Sequence, residues 1–416
     1  MHPVLLEIPL PHVNVPLGPA LLLLSLVGAV VAALGHRARA RDVTGLGAAM
    51  ALAAASAAFG LRGKEAMLGP LPLYGFGVML CAGLFAGWFL CLAHSERDGL
   101  PREASAETYF AAAVAGLVGA RLLYVLTNLH DFGSVVDALA FRSGGLVFYG
   151  GVLGGFAGSL VHARRRGLDW FAWADAAAPS LALGSMLGRM GCYFAGCDYG
   201  LPLGPGASAF LVRLGTFPRW SDEVAGPGAG SPAWVEQVLH RGLPFERTAS
   251  QPVHPAQLYE AVASCAILVL LVVLRTRKQF RGQVFLAFVS LYGAMRFLLE
   301  TIRDDPERGS YGPTAAPRVL VALGLVALSA AFVVGPLRSL VRPASRAMAL
   351  ALATAVPVVA YLALASRRQA LALSTSQWIA LGSSFAAAYV WRKSMRGFPE
   401  ATPGAAVTPE PTEAPG

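Results

Sequence analysis

The chain has 416 residues, 55% of them hydrophobic and 14% charged, and a mean hydropathy of +0.56. Soluble globular domains carry about 25% charged residues, so this composition excludes a single water-soluble core and places much of the apolar surface against lipid. The net charge of +9 does not indicate nucleic acid, because the basic residues cluster between apolar runs, where they act as topology signals.

Apolar runs long enough to cross a bilayer lie near 19–35, 46–60, 73–93, 107–127, 145–161, 172–194, 260–275, 283–300, 318–335, 346–365 and 376–391. They are continuous rather than alternating, which predicts helices and not barrel strands. The segment before the first run, MHPVLLEIPLPHVNVPLG, has no basic region, so that run is not read as a cleavable signal peptide. Arg37, Arg39 and Arg41 follow the first run, and Arg164, Arg165 and Arg166 the fifth. Arg275, Arg277, Lys278 and Arg281 follow the seventh, Arg338 and Arg342 the ninth, and Arg392, Lys393 and Arg396 the last. With alternating helices all five clusters share one side, cytoplasmic by the positive-inside rule, leaving the N-terminus outside and the C-terminus inside. Arg367 and Arg368 dissent.

The connection 196–259 falls outside in this topology. It is rich in Gly, Pro and Ser, with a short helical possibility at AWVEQVLHRG, and its length predicts a lid or an acceptor-docking arm. After Arg396 the segment GFPEATPGAAVTPEPTEAPG lacks apolar periodicity and reads as a disordered cytoplasmic tail. Of five cysteines, Cys81, Cys91 and Cys265 lie within apolar runs, and Cys192 and Cys197 flank a Gly-rich segment. This is neither a disulfide framework nor a zinc-ligand pattern, so no metal is expected.

Four polar clusters stand out, because an ionised side chain within a span faces the protein interior or a wet cavity. GPLPLYGFG, 69–77, opens the third run with Tyr74; an interfacial Tyr is ordinary there. GARLLY, 119–124, carries Arg121 near a helix end, where snorkelling to headgroups competes with a functional role. GGLVFYGGVLGG, 144–155, and GSMLGRMGCYFAGCDYG, 184–200, combine glycines that permit close backbone approach with Arg189, a fixed cation suited to a phosphate. The GK[ST] ending of a nucleotide-binding loop is missing. VHPAQLYE and YGAMRFLLETIR place Arg296 and Glu300 four apart, on one helix face, where they pair across a turn as a structural ion pair or as a phosphate-orienting device. His254 stands at the mouth of the seventh run, where it could hold water or a headgroup.

Taken together, LYGFG, GARLLY, FYGG, GRMGCYFAGCDYG, HPAQLYE and YGAMRFLLE resemble, in order, the bacterial prolipoprotein diacylglyceryl transferase family over about 69–335. The strongest match is the Gly-Arg-x-Gly segment with Gly188, Arg189 and Gly191. The resemblance implies an all-α polytopic membrane protein with a seven-helix core and extra N- and C-terminal helices, about eleven spans in total. Its expected divisions are a 1–68 extension with two spans, a 69–340 core, a 341–396 extension with two spans, and the 397–416 tail. It also implies a cofactor-free inner-membrane enzyme that moves the diacylglyceryl group of phosphatidylglycerol to the lipobox cysteine of a prolipoprotein. Arg189 and Arg296 would clamp the phosphate. Tyr74, Arg121 and Glu300 would place the headgroup, organise a loop and support Arg296, and His254, Gln257 and Tyr259 would shape the outer end of the site. The chain departs from some members in having Tyr149 where they have His, and Cys192 and Cys197 where they have Asn and Glu. Tyr149 is therefore either part of the proton transfer or a positioning group, and a lipid-binding, transporting or inactive relative on the same scaffold stays open from sequence.

Overall fold

The computed structural model describes residues 4–8, 13–37, 51–52, 55, 65–68, 71–132, 145–220, 230–304, 309–339, 345–351, 354–355, 358 and 371–396. Most of the expected runs 46–60 and 346–365, the stretch 221–229, the tail, and Arg39, Arg41, Arg342, Arg367 and Arg368 lie outside these residues.

The chain divides into two units. In the N-terminal one, His2–Gly75, strands β1 (Val4–Ile8) and β2 (Val13–Pro16) lead into helix α1 (Leu17–Arg37), and β3 (Glu65–Leu68) and β4 (Leu71–Tyr74) close it. β1 pairs antiparallel with β4 and β2 with β3. These short strands depart from the all-helical expectation. Proline at Pro16 and Pro72 disfavours continuing a helix, and the backbone groups are satisfied by pairing instead.

The second unit is mostly helical: α2 (Gly75–Arg97, counted from Phe76 within this unit), α3 (Arg102–Thr127), α4 (Phe148–Arg165), α5 (Trp170–Ala195), short α6 (Ala209–Gly215) and α7 (Pro232–His240), then α8 (Ala256–Arg275), α9 (Gln283–Leu299), α10 (Pro317–Val334) and α11 (Thr375–Arg396). A strand pair, β5 (Ser310–Ala315) with β6 (Leu371–Ser374), precedes the last two long helices. Among the described residues four helices, α2, α3, α8 and α10, are long and apolar enough to cross a membrane by length and composition, not eleven. Their surfaces carry Phe85, Phe89, Phe110, Val262 and Leu323, all more than 60% exposed, as lipid-facing side chains are. α4, α5 and α11 fall short because Gly, Ser and charged residues replace apolar ones along them, and several of these are turned inward, whereas α9 is apolar but only 17 residues long.

Local sequence fixes the ends of these helices. Asp169 caps α5, its carboxylate accepting from the amides of Phe171 and Ala172 at 3.0 and 3.2 Å. The same helix stops at Gly196, which takes a left-handed φ of 69° that a side chain would disfavour. Asp175, fully buried in α5, accepts from the amides of Gly282, Val284 and Phe285 at 2.8–3.0 Å and so caps α9 from a neighbouring helix. Beside it Asp98 holds Arg275 at 3.0 Å and Lys278 at 2.8 Å. The core between α5, α8, α9 and α11 is built from Ala178, Ala182, Leu271, Val284, Leu286, Ala387 and Trp391.

α3 and α4 pack backbone to backbone. A Cβ on Gly119, Gly150 or Gly154 would overlap a carbonyl of the facing helix, which is how small residues drive helix association without a hydrophobic gradient. Gly150→Val is therefore expected to lower the melting temperature of the detergent-solubilised protein, an overpacking penalty of at least about 1–3 kcal/mol. Gly184→Ala, whose added methyl meets nothing within 4 Å, should melt with the parent.

Candidate active site

Three helices meet at the end of the bundle opposite Asp175: the C-terminal part of α5, the N-terminal part of α8 and the last turn of α9. They bring in Arg189, Glu260 and Arg296, while Asp198, Glu300 and Arg303 follow in the connecting segments. The six charges alternate in a closed ring. Arg189 contacts Asp198 through NH1 and Glu260 through Nε, the latter at 3.0 Å. The second Glu260 oxygen receives Arg296 at 3.2 Å, and Arg296 reaches Glu300 at 2.8 Å. Arg303 lies 3.6 Å from Glu300 and donates to the free oxygen of Asp198, which closes the circuit.

The side chains of Arg189, Arg296, Arg303, Glu260 and Glu300 are 16% or less exposed. Removing so many charges from water is tolerable only when each meets an opposite partner. Asp198 shows the balance. Burial pushes its carboxyl up, but Arg189 and Arg303, with Arg296 beyond, outweigh burial and hold it below the ordinary carboxylate range. Its contribution to stability is thus complete above the unfolded value of about 3.9 and is lost as pH falls through the depressed one. At neutral pH the Asp198 link is charged.

Around the ring, Gln257 is fully buried and donates to the carbonyl of Cys197. His254 Nδ1 lies 3.2 Å from the Tyr259 hydroxyl, and its carbonyl accepts from the Gly200 amide at 2.9 Å. Tyr149, in the first turn of α4, donates to Ser376 Oγ at 2.7 Å, and Arg296 donates to the same oxygen at 3.3 Å. Gly191 packs tightly against Phe76 and Met79, where a Cβ would sit 3.1–3.3 Å from them, whereas Gly188 faces open space, so only the first has a steric reason to be glycine. Arg121 is buried rather than reaching outward. It donates to the Gly145 carbonyl at 3.1 Å and lies over the rings of Tyr124 and Phe132. Tyr74 belongs to the N-terminal unit, half exposed and opposite Val4 in the strand register.

The sulfurs of Cys192 and Cys197 and an oxygen of Asp198 lie within 4.8 Å of one another. Both Asp198 oxygens already contact guanidiniums, so the trio lacks a third donor free to ligate a metal. A hydrogen bond to Cys192, together with burial, pushes the Cys197 thiol up.

The described residues of the connection after Cys197 are folded. Tyr199, Phe217, Ala233 and Val253 form a small core. Bridges join Gly200 to Arg303, Pro202 to Val253 and Pro218 to Ala249. The helical possibility at AWVEQVLHRG is α7, with Trp234 buried beneath Arg219 and donating to the Arg247 carbonyl.

A family model for prolipoprotein diacylglyceryl transferase matches residues 65–335, well over half of the chain. The chain belongs to this family. Among its relatives, the phosphatidylglycerol–prolipoprotein diacylglyceryl transferase of Geobacillus kaustophilus is 31% identical over 239 residues, 57% of this chain and 79% of the relative. The enzymes of the same name from Bacillus cereus and Bacillus anthracis are each 28% identical over 268 residues, 64% of this chain and 89% of the relative. The whole ring lies within the part matched by the diacylglyceryl transferase model; Ser376 lies beyond it.

Sequence reasoning missed Asp198, Arg303 and Ser376 as members of this constellation and gave Glu260 no separate role. Arg303 had a usable signal, since it stands three residues after Glu300 and so on the same side of a continuing turn. Arg303→Ala would leave Asp198 and Glu300 short of a cation and is expected to destabilise the folded protein by about 3–5 kcal/mol. Arg241→Ala, which breaks the more exposed pair with Asp304, should cost less than about 1 kcal/mol. Thermal melting in detergent separates the two.

Proposed function

We propose that the charged ring is the transfer site, with Arg189 and Arg296 holding the phosphate of the lipid donor. The chain is a phosphatidylglycerol–prolipoprotein diacylglyceryl transferase. It moves the diacylglyceryl group of phosphatidylglycerol to the thiol of the lipobox cysteine, so that an S–C bond forms as the C–O bond to phosphate breaks. The bonding electrons leave with glycerol phosphate, and the thiol proton goes to a base. Negative charge accumulates on the departing phosphate, where preorganised cations are most effective. The observation that carries the assignment is the bridging of Arg189 and Arg296 by the two oxygens of Glu260, which sets two guanidiniums at one fixed spacing.

In this reading Glu300 orients Arg296, Arg121 organises the backbone around Gly145, and Gln257, His254 and Tyr259 shape the outer end of the site. Gly188 and Gly191 set the surface of α5 beside Arg189, and headgroup placement is the role assigned to Tyr74. Tyr149 contributes its hydroxyl either to proton transfer or to placement. The less apolar helices α4, α5 and α11, their polar residues shielded by neighbours, and the shorter apolar α9 also span the bilayer. The two regions flanking 69–340 add further spans, for about eleven in all.

The protein is a multi-pass membrane protein, and we place the ring at the outer face of the bacterial inner membrane. Arg164–Arg166, Arg275, Lys278, Arg392 and Lys393 all follow or end helices at the opposite end. By the positive-inside rule that end is cytoplasmic, with the N-terminus outside and the C-terminus inside.

Incubating the purified protein with phosphatidylglycerol and a lipobox peptide should add one diacylglyceryl mass to the peptide, while Arg189→Ala, folded as judged by melting, should add none. A parent protein that leaves the peptide unmodified would refute the assignment. For Tyr149→Phe, near-parental transfer rules out a required phenolic proton transfer, and severe loss with an intact fold shows that the hydroxyl is needed, for proton transfer or for placement.

A further inference from the structure

Ser376 has an unusual set of neighbours for a residue beyond the family-matched part of the chain. Its hydroxyl oxygen accepts from the phenol of Tyr149 at 2.7 Å and from the guanidinium of Arg296 at 3.3 Å. Those two donors come from the first turn of α4 and the last turn of α9, and Ser376 from the first turn of α11. A hydroxyl has two acceptor positions, and both are taken.

The start of α11 is built to hold this residue in place. Ser374 and Gln377 cap each other: the Gln377 amide donates to Ser374 Oγ at 3.2 Å, and the Ser374 amide donates to Gln377 Oε1 at 3.0 Å. This reciprocal pattern satisfies two otherwise orphaned amides at a helix start, and Ser376 lies between its two members. Both capping side chains are buried, at 0% and 1% exposure. The side-chain Nε2 of Gln377 then donates to the carbonyl of Phe297 at 3.2 Å, one residue past Arg296. Farther along, Gly293 of α9 packs against Ala380 and Ser384. The serine is thus registered against α9 by its immediate neighbour and by a glycine contact one turn earlier on that helix.

The arginine side completes the case. NH2 of Arg296 serves both Glu300, at 2.8 Å, and Ser376, while NH1 serves Glu260. The guanidinium thus has three partners, with hydrogen bonds to Glu260 and Ser376 and an ion pair with Glu300. Without Ser376 the fork keeps its two carboxylates but loses the contact that ties it to Tyr149.

We propose that Ser376 is a positioning residue of the transfer site, one hydroxyl that fixes Arg296 and Tyr149 relative to each other, so that α11 is part of the enzyme's working unit. This role rests on the transfer reaction assigned above. The hydroxyl changes no bond in the reaction. It sets where the phosphate-holding cation and the phenol stand when the thiol arrives, and small displacements of such groups slow the chemical step more than they weaken binding.

The test is steady-state transfer to a lipobox peptide by the full chain in phosphatidylglycerol-containing nanodiscs, comparing parent, S376A, S376T, Y149F, the S376A/Y149F double variant and R189A. S376A is expected to lower kcat about tenfold, the scale of a hydrogen bond to a charged group, with KM for the peptide within about twofold. S376T keeps the hydroxyl and should recover most of the rate. The double variant should be no slower than the slower single one, because the two groups act through one contact. A parental kcat in S376A overturns the role, as does S376T as slow as a well-folded S376A, or losses that multiply in the double variant. If S376A does not fold, S376C serves in its place, since its thiol is a weak acceptor of similar shape, and parental kcat in S376C likewise overturns the proposal. A parent that forms no adduct removes the reaction itself, whereas an active parent with an inactive R189A and an unimpaired S376A removes Ser376 alone.

Discussion

The closed alternation of three guanidiniums and three carboxylates is the constraint around which the second unit is arranged. Arg189, Glu260 and Arg296 sit on three different helices, and none could be buried without the others. Moving a single such ion into a low-dielectric interior costs several kcal/mol even after relaxation. α5, α8 and α9 must therefore meet at this end with their charged faces inward, and their apolar faces are left for the surrounding helices and lipid. The ring sums to zero, so it carries no long-range field of its own, and its cations act only at contact distance.

The opposite end is held by different means. Asp175 spreads its charge over three backbone amides of the next helix start, and Asp98 binds Arg275 and Lys278. A carboxylate satisfied by amides is locked in geometry, since amides cannot rotate away, while a carboxylate satisfied by guanidiniums can exchange partners. Between the ends, α3 and α4 contribute a glycine seam that needs no polar atoms at all. The unit thus has a fixed floor, a close-packed wall, and a ring at the other end held by exchangeable ion pairs.

Much of this was legible in the sequence, and what was not has identifiable causes. Apolar runs located the long helices of the described residues, because length and hydropathy are local properties. The same criterion overcounted autonomous spans: α5 and α11 are helical, yet they carry too many inward-facing polar residues to qualify on hydropathy alone. Arg189 and Arg296 were conspicuous because a cation inside an apolar run needs an explanation. Asp198 was not, since a carboxylate in a Gly-rich connection looks solvated until the fold folds it back on the helix it follows. Ser376 was invisible for a stronger reason. A serine near a helix start is read as a cap, and its actual partners, Tyr149 and Arg296, are 227 and 80 residues away in sequence. The short strands also escaped notice, because runs of four to six residues have no period to detect.

The folded segment between α5 and α8 has its roots in the same place as the charges. It leaves α5 at Asp198, bridges Gly200 to Arg303, and rejoins α8 at His254, six residues before Glu260. Arg241, at its far side, grips Asp304 next to Arg303. These ties make the segment a lever whose fulcrum is the charged ring. Any force that displaces the segment is transmitted directly to the carboxylate and guanidinium at either flank.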